Sequence, residues 1–176
     1  MKLYGITSKS KFKEYVEIEF QVEHREVLLE DWLENNSDDI IENGQLLIIG
    51  RQVTTNLGGF IDLLAIDRRG DVVVIEIKRN RTPRKTIAQA LEYASFVEKI
   101  GYEQLEDILR TYIGDNSVNL AQYHKEYFDL SSDEASVFNH DQKIVIVGQA
   151  ITSEIRQTSA FLRTKGIRVT CLEFTF

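Results

Sequence analysis

Asp62, Glu76 and Lys78 are the residues of this chain best suited to do chemistry together. They lie in two apolar, strand-like runs, 60–66 and 72–78, on either side of Asp67-Arg68-Arg69-Gly70-Asp71. That pentapeptide is turn chemistry, with Gly70 supplying the left-handed residue of a three-residue hairpin loop. If Asp67 pairs with Asp71, opposing residues carry numbers that sum to 138, and Asp62 stands across from Glu76. Cross-strand partners sit about 4.5–5.5 Å apart at Cβ, near enough for two carboxylates to share a cation. Alternation puts Lys78 on the face of Glu76, about 7 Å further along the strand. Two bare carboxylates so placed repel each other and push one pKa upward; a divalent cation relieves that. Magnesium accepts a few carboxylates, keeps several waters and takes phosphate oxygens, so it suits a sparse two-carboxylate site. The chemistry is then metal-assisted hydrolysis, with Lys78 orienting or deprotonating the attacking water and offsetting charge at phosphorus.

The competing reading is an ordinary surface pair of Glu76 and Lys78 at a strand end. The chain holds a second acid-x-Lys tripeptide, Asp141-Gln142-Lys143. That copy precedes its strand instead of ending one, and no Asp-bearing hairpin leads into it, so position carries the inference.

Elements around the hairpin must hold these groups. A helix is predicted over 23–35, because Leu28, Leu29, Trp32 and Leu33 fall on one side at helical spacing. With about 100° per residue, Glu26 lies within about 20° of Leu33 at the edge of that stripe, and Glu30 sits further round. Glu26 is thus the acid best placed to lean inward as a third carboxylate, with Glu30 second. After the hairpin, Thr82 and Pro83 read as a helix cap and first turn, and the helix runs to about 100 with Gly101 as terminator. On it, Gln89 and Tyr93 share a stripe with Phe96, Val97 and Ile100. A glutamine on an apolar stripe needs hydrogen-bond partners, which a nearby ion and its waters would supply. A strand over 46–53, helices near 103–112 and 118–128, a strand at 143–148, a helix at 153–165 and a last strand at 167–174 complete the pattern. It is an α/β fold: a mixed β-sheet flanked by helices. Residues 1–22 read as an extension, with a strand suggested by alternation over 15–20, and 23–176 as the domain.

The net charge of −7 hides a gradient. Lys78, Arg79, Arg81, Arg84 and Lys85 follow one another with no acid among them. A local basic strip of this kind can hold a phosphate backbone on an acidic body. One cysteine rules out an intramolecular disulfide and fits a reducing compartment, and Cys171 reads as a packed thiol. No apolar run reaches membrane-spanning length and no signal peptide opens the chain, so a soluble cytoplasmic protein with no membrane partner is expected. His24, His124 and His140 are scattered without ligand spacing and read as surface or loop residues.

Several stretches together resemble the PD-(D/E)XK nuclease superfamily, in its RecB-like branch with a Gln-x-x-x-Tyr signature, and most of all NucS/EndoMS-type endonuclease domains. They are Glu26-x-x-Leu29-Glu30-x-x-Leu33, Gly59-Phe60-Ile61-Asp62-Leu63-Leu64-Ala65, Val74-Ile75-Glu76-Ile77-Lys78-Arg79 and Gln89-x-x-x-Tyr93, with Phe161-Leu162-x-x-Lys165-Gly166-Ile167 in the tail. The resemblance implies a restriction-endonuclease-like core that cuts DNA with Mg2+ or Mn2+. It implies Asp62, Glu76 and the backbone carbonyl of Ile77 as metal ligands, Lys78 at the water, Glu26 as the helix acid, and Gln89 and Tyr93 as helpers. Arg79, Arg81, Arg84 and Lys85 are the expected DNA contacts, and a homodimer is left open. Ile61 stands where the superfamily's name has proline. NucS-type enzymes also carry a separate N-terminal domain that the first twenty residues cannot supply, so mismatch recognition does not transfer. A binding module that keeps the fold without cutting is the alternative function.

Overall fold

The computed structural model describes residues 3–6, 12–15, 26–41, 44–131 and 137–175. A small antiparallel hairpin of β1 (Leu3–Ile6) and β2 (Phe12–Tyr15) forms a sheet of its own. The strand expected over 15–20 lies outside the described residues apart from Tyr15, which ends β2. There follow α1 (Glu26–Asn35), a 3-10 turn (Ser37–Asp39), β3 (Leu46–Thr54), β4 (Phe60–Asp67) and β5 (Val72–Arg81). Then come α2 (Lys85–Val97), α3 (Tyr102–Ile113), α4 (Leu120–Tyr127), β6 (Gln142–Ala150), α5 (Ser153–Thr164) and β7 (Arg168–Glu173).

The main sheet has the order β3-β4-β5-β6-β7, antiparallel across its first three strands and parallel across its last three. Tight turns suffice for the antiparallel part, whereas parallel neighbours need crossovers, which α2 to α4 and then α5 provide. Central β5 is buried without a break from Val72 to Ile77, as expected of a strand covered on both faces. On one face, Leu29 and Leu33 of α1 pack on Leu63, Ala65, Ile75 and Ile77. On the other, Leu64, Ile66, Val72 and Val74 meet Tyr93 and Val97 of α2 and Leu105 and Leu109 of α3. Each such side chain contributes about 1.5–3 kcal/mol on burial, so the strands that carry the candidate chemistry are clamped from both sides.

The hairpin register is the expected one. Leu63 faces Ile75, Leu64 faces Val74 and Ile66 faces Val72. The turn closes through Asp67 N–H to Asp71 O at 3.0 Å and Gly70 N–H to Asp67 O at 3.0 Å. Gly70 has φ +87°, and a Cβ there would lie 2.6 Å from the carbonyl oxygen of Val137; only glycine fits both constraints.

Four expectations are corrected. Thr82 does not cap α2: it is buried, donates its N–H to Ala150 O at 2.9 Å, and accepts from Thr152 N–H at 3.2 Å. Its hydroxyl thus ties the end of β5 to the β6–α5 loop, and α2 begins three residues later at Lys85. Gly101 does not end α2 in a left-handed conformation; it is extended and caps α3, its N–H donating to the side chain of Gln104 at 3.0 Å. The carbonyls left by α2 are taken instead by the Asn139 side-chain amide, at 2.7 Å from Val97 O and 2.9 Å from Ile100 O. The α1 stripe is narrower than its periodicity suggests: Leu29 and Leu33 are buried, while Leu28 and Trp32 stay exposed. His124 is no surface residue. It is fully buried, its Nε2 is 2.8 Å from Asp67 O, and its ring packs on Phe128 and Phe138. Burial holds its pKa below the usual value. His140 is exposed, as expected, and His24 lies outside the described residues. Cys171 is half-buried, its thiol 3.4 Å from the Ser159 hydroxyl. No helix among the described residues is long and apolar enough to cross a membrane.

Candidate active site

Ile77 is the meeting point of Asp62, Glu76 and Lys78. The β4–β5 ladder stops at Leu63–Ile75. Since Asp67 and Asp71 are a hydrogen-bonded pair and such pairs alternate, a continued ladder would offer the Ile77 N–H a backbone carbonyl of β4. The Asp62 carboxylate takes that donor instead, Oδ2 accepting it at 2.7 Å. At the same residue, the Lys78 ammonium donates to Ile77 O at 3.0 Å, and it also donates to Glu76 Oε1. Glu76 is fully buried and Lys78 keeps about a fifth of its side chain in solvent. Asp62, Glu76 and Lys78 therefore converge where β4 and β5 part, and the strand opening is what frees Asp62 to face them.

Three oxygen-bearing groups are gathered here: the two carboxylates and the Ile77 carbonyl. The ammonium of Lys78 already bridges two of them, so a cation fits between Glu76 and the Ile77 carbonyl. Hard oxygen donors in this number suit an ion that keeps its own waters. Among the described residues no group of three or more His, Cys, Asp or Glu side chains could hold a metal by itself.

Among the described side chains of α1, Glu30 reaches this region. It is buried, its Oε1 accepts from Gln52 Nε2 at 3.0 Å, and the same amide nitrogen donates to Asp62 Oδ1 at 3.2 Å. Glu26 opens α1, and its side chain lies outside the described residues. Two residues that sequence reasoning missed build this link. Gln52 is opposite Asp62 across the β3–β4 pair and sits at φ 50°, a conformation uncommon for a non-glycine residue. Arg51 binds Glu30 at 2.9 Å, Asp31, Glu34 at 3.1 Å and the Val27 carbonyl at 3.2 Å, fastening α1 to β3. Burial works against its charge, but the bonds to Asp31 and Glu30 outweigh that and raise its pKa.

Gln89 and Tyr93 are joined to each other, Nε2 donating to Oη at 2.9 Å. The Tyr93 ring is buried against Gly59, where an added Cβ would come within 2.8 Å of Oη. The pair thus braces the loop that leads into Asp62. Of the basic strip, Arg79, Arg81, Arg84 and Lys85 are all exposed, but Arg84 is paired with Glu154 at 2.9 Å and holds that carboxyl down to about 2. The second acid-x-Lys tripeptide is structural: Lys143 pairs with Asp67 and, at 3.3 Å, with Asp71.

The family described as the endonuclease NucS C-terminal domain matches residues 25–122, more than half of the 176, and the chain belongs to it. Endonuclease NucS of Sulfolobus acidocaldarius is 30% identical over 97 residues, covering 54% of this chain and 38% of that protein. A repair endonuclease from Pyrococcus abyssi superposes with a TM-score of 0.49 at 17% identity, covering 86% of this chain and 48% of that one. An EndoMS–double-stranded DNA complex superposes with a TM-score of 0.48 at 19% identity, covering 93% and 48%. The chain thus spans less than half the length of each of these relatives.

Proposed function

We propose that this chain is a metal-dependent DNA endonuclease domain that hydrolyses phosphodiester bonds at Asp62, Glu76 and Lys78. The observation that carries the reading is the meeting of Asp62 and Lys78 on the Ile77 backbone, with Glu76 held by the same ammonium, in a chain of an endonuclease family. Asp62, Glu76 and the Ile77 carbonyl would hold Mg2+ or Mn2+. When bound, such an ion polarises a phosphoryl oxygen and lowers the pKa of a water. Lys78, the chain's own cation at that point, orients the water and offsets negative charge at phosphorus. Glu30, through the Gln52 amide, holds Asp62 in place, while Glu26 stays a candidate for the helix acid. Gln89 and Tyr93 keep the entering loop from collapsing onto the carboxylates. The reading also keeps the chain in the cytoplasm, where a lone half-buried thiol stays reduced.

Incubation with single-stranded, double-stranded and branched DNA tests this directly. Cutting is expected with Mg2+ or Mn2+ and none with chelator; chelator-resistant cutting would refute the metal role, and no cutting of any form would favour a pure binding module. The exposed strip gives a second test. Replacing Arg79, Arg81 and Lys85 with alanine is expected to flatten the salt dependence of DNA binding, by about 0.9 per lost phosphate contact. Arg84→Ala should flatten it less, because its guanidinium is shared with Glu154. An unchanged slope in the triple variant would remove the strip from the interface.

A further inference from the structure

The β3–β4 connection presents apolar side chains where the proposed reaction would take place. Leu57 at its apex is 71% exposed and Phe60, the first residue of β4, is 52% exposed. Neither is there through looseness of the loop. Thr55 is buried, and the turn is closed by Thr55 N–H to Gly59 O at 2.8 Å, Gly58 N–H to Thr55 O at 3.2 Å and Gly59 N–H to Thr55 Oγ1 at 3.1 Å. Gly59 is pinned on the Tyr93 ring. Phe60 precedes Asp62 by two residues on β4, about 7 Å along the strand. Lys78 stands beside Asp62 on the neighbouring strand, and the exposed Arg79 and Arg81 follow it.

A rigid aromatic ring that close to a phosphodiester-binding cation has a base within reach, since every nucleobase offers a π-face for stacking, and apolar side chains on rigid turns serve as wedges between bases. We propose that Phe60 stacks on a nucleobase adjoining the scissile phosphate, with Leu57 as a wedge at the same step. This rests on the nuclease reading above.

The test is a cycle of protein and substrate changes. Steady-state cleavage with Mg2+ is measured for the wild type, Phe60→Ala, Phe60→Tyr and Leu57→Ala on a series of oligonucleotides, each with one abasic site at a successive position. For Phe60→Ala, KM is expected to rise about 10-fold with kcat little changed, and Phe60→Tyr should restore it. At one abasic position the wild type should lose the same factor, and Phe60→Ala should lose nothing more. Leu57→Ala should couple to that position or its neighbour. Independent, additive losses at every position, or an unchanged KM in Phe60→Ala, would overturn the stacking role while leaving the nuclease reading intact. A wild type that neither binds nor cuts any DNA would instead sink the nuclease reading itself.

Discussion

Glu76→Gln and Asp62→Asn are each expected to lower DNA cleavage about 10³-fold, with the fold and DNA binding preserved. Both changes keep side-chain volume. In Asp62→Asn the new amide oxygen can still accept the Ile77 N–H, as Asp62 Oδ2 does at 2.7 Å, so β4 and β5 should part at the same place. In Glu76→Gln the amide oxygen can still accept from Lys78, so the buried site loses charge without gaining a void. What disappears is half of the anionic oxygen set that would hold a divalent ion against the pull of bulk water. Lys78→Met is a complementary probe: cutting should fall with it, while the metal concentration at half-maximal activity moves far less than in the carboxylate variants. The measurements are initial rates over a range of Mn2+ and Mg2+, beside circular dichroism and anisotropy with labelled DNA. Activity within about 10-fold of wild type in a folded Glu76→Gln sample would remove Glu76 from the chemistry.

Why this site could be read from sequence, and why other parts could not, comes down to the range of the interactions. The Asp67–Asp71 turn fixes its own register through bonds between residues a few positions apart, and the period-two arithmetic then carries as far as the Leu63–Ile75 pair; beyond it the strands part, and the turn of Asp62 to the Ile77 N–H is not in the pattern. Burial of β5 on both faces follows from its apolar run. By contrast, the acids bound by Arg51 lie 17 to 21 residues earlier in the chain, and nothing in an Arg-Gln pair within a strand signals them. The left-handed backbone of Gln52 has no residue signature either, since glycine is the usual marker and Gln52 is not one. Thr82 carried a true cap signal, yet its hydroxyl had a better partner in the chain 68 to 70 residues away. The same holds for His124, which the pattern left at the surface and the contact with Asp67 O placed in the core. The order of Glu26 before Glu30 came from a helical wheel drawn without a neighbour; Gln52 gives Glu30 a donor to meet, while the Glu26 side chain lies outside the described residues.

The largest effect on stability is expected far from the chemistry, at the other end of the same hairpin. Asp67 and Asp71 are both buried, and Lys143 pairs with both while Arg168 reaches Asp71 at 3.3 Å. Asp67 Oδ1 also accepts the N–H groups of Arg69 at 2.9 Å and Asp71 at 3.0 Å. Lys143→Met takes the ammonium from buried Asp67 and leaves Asp71 with an Arg168 guanidinium that also pairs with Asp141 at 3.1 Å, and removing one partner of a buried charge group is costly because the remaining charge cannot reach water. Lys143 keeps about a fifth of its side chain exposed, which softens the penalty, so a loss of about 3 kcal/mol is expected, roughly 10 °C in Tm for a domain of this size. Asp67 lies five residues from Asp62, about 17 Å along the strand, so kcat below the melting transition should stay within about twofold of wild type. Adding Asp71→Asn to Lys143→Met should recover part of the loss, because it neutralises one of the stranded charges. Urea denaturation of the three proteins, run beside the cleavage assay, separates the outcomes: a loss under about 1 kcal/mol would mean that solvent already screens the cluster, and a parallel fall in kcat would mean that the turn and the active centre are one mechanical unit.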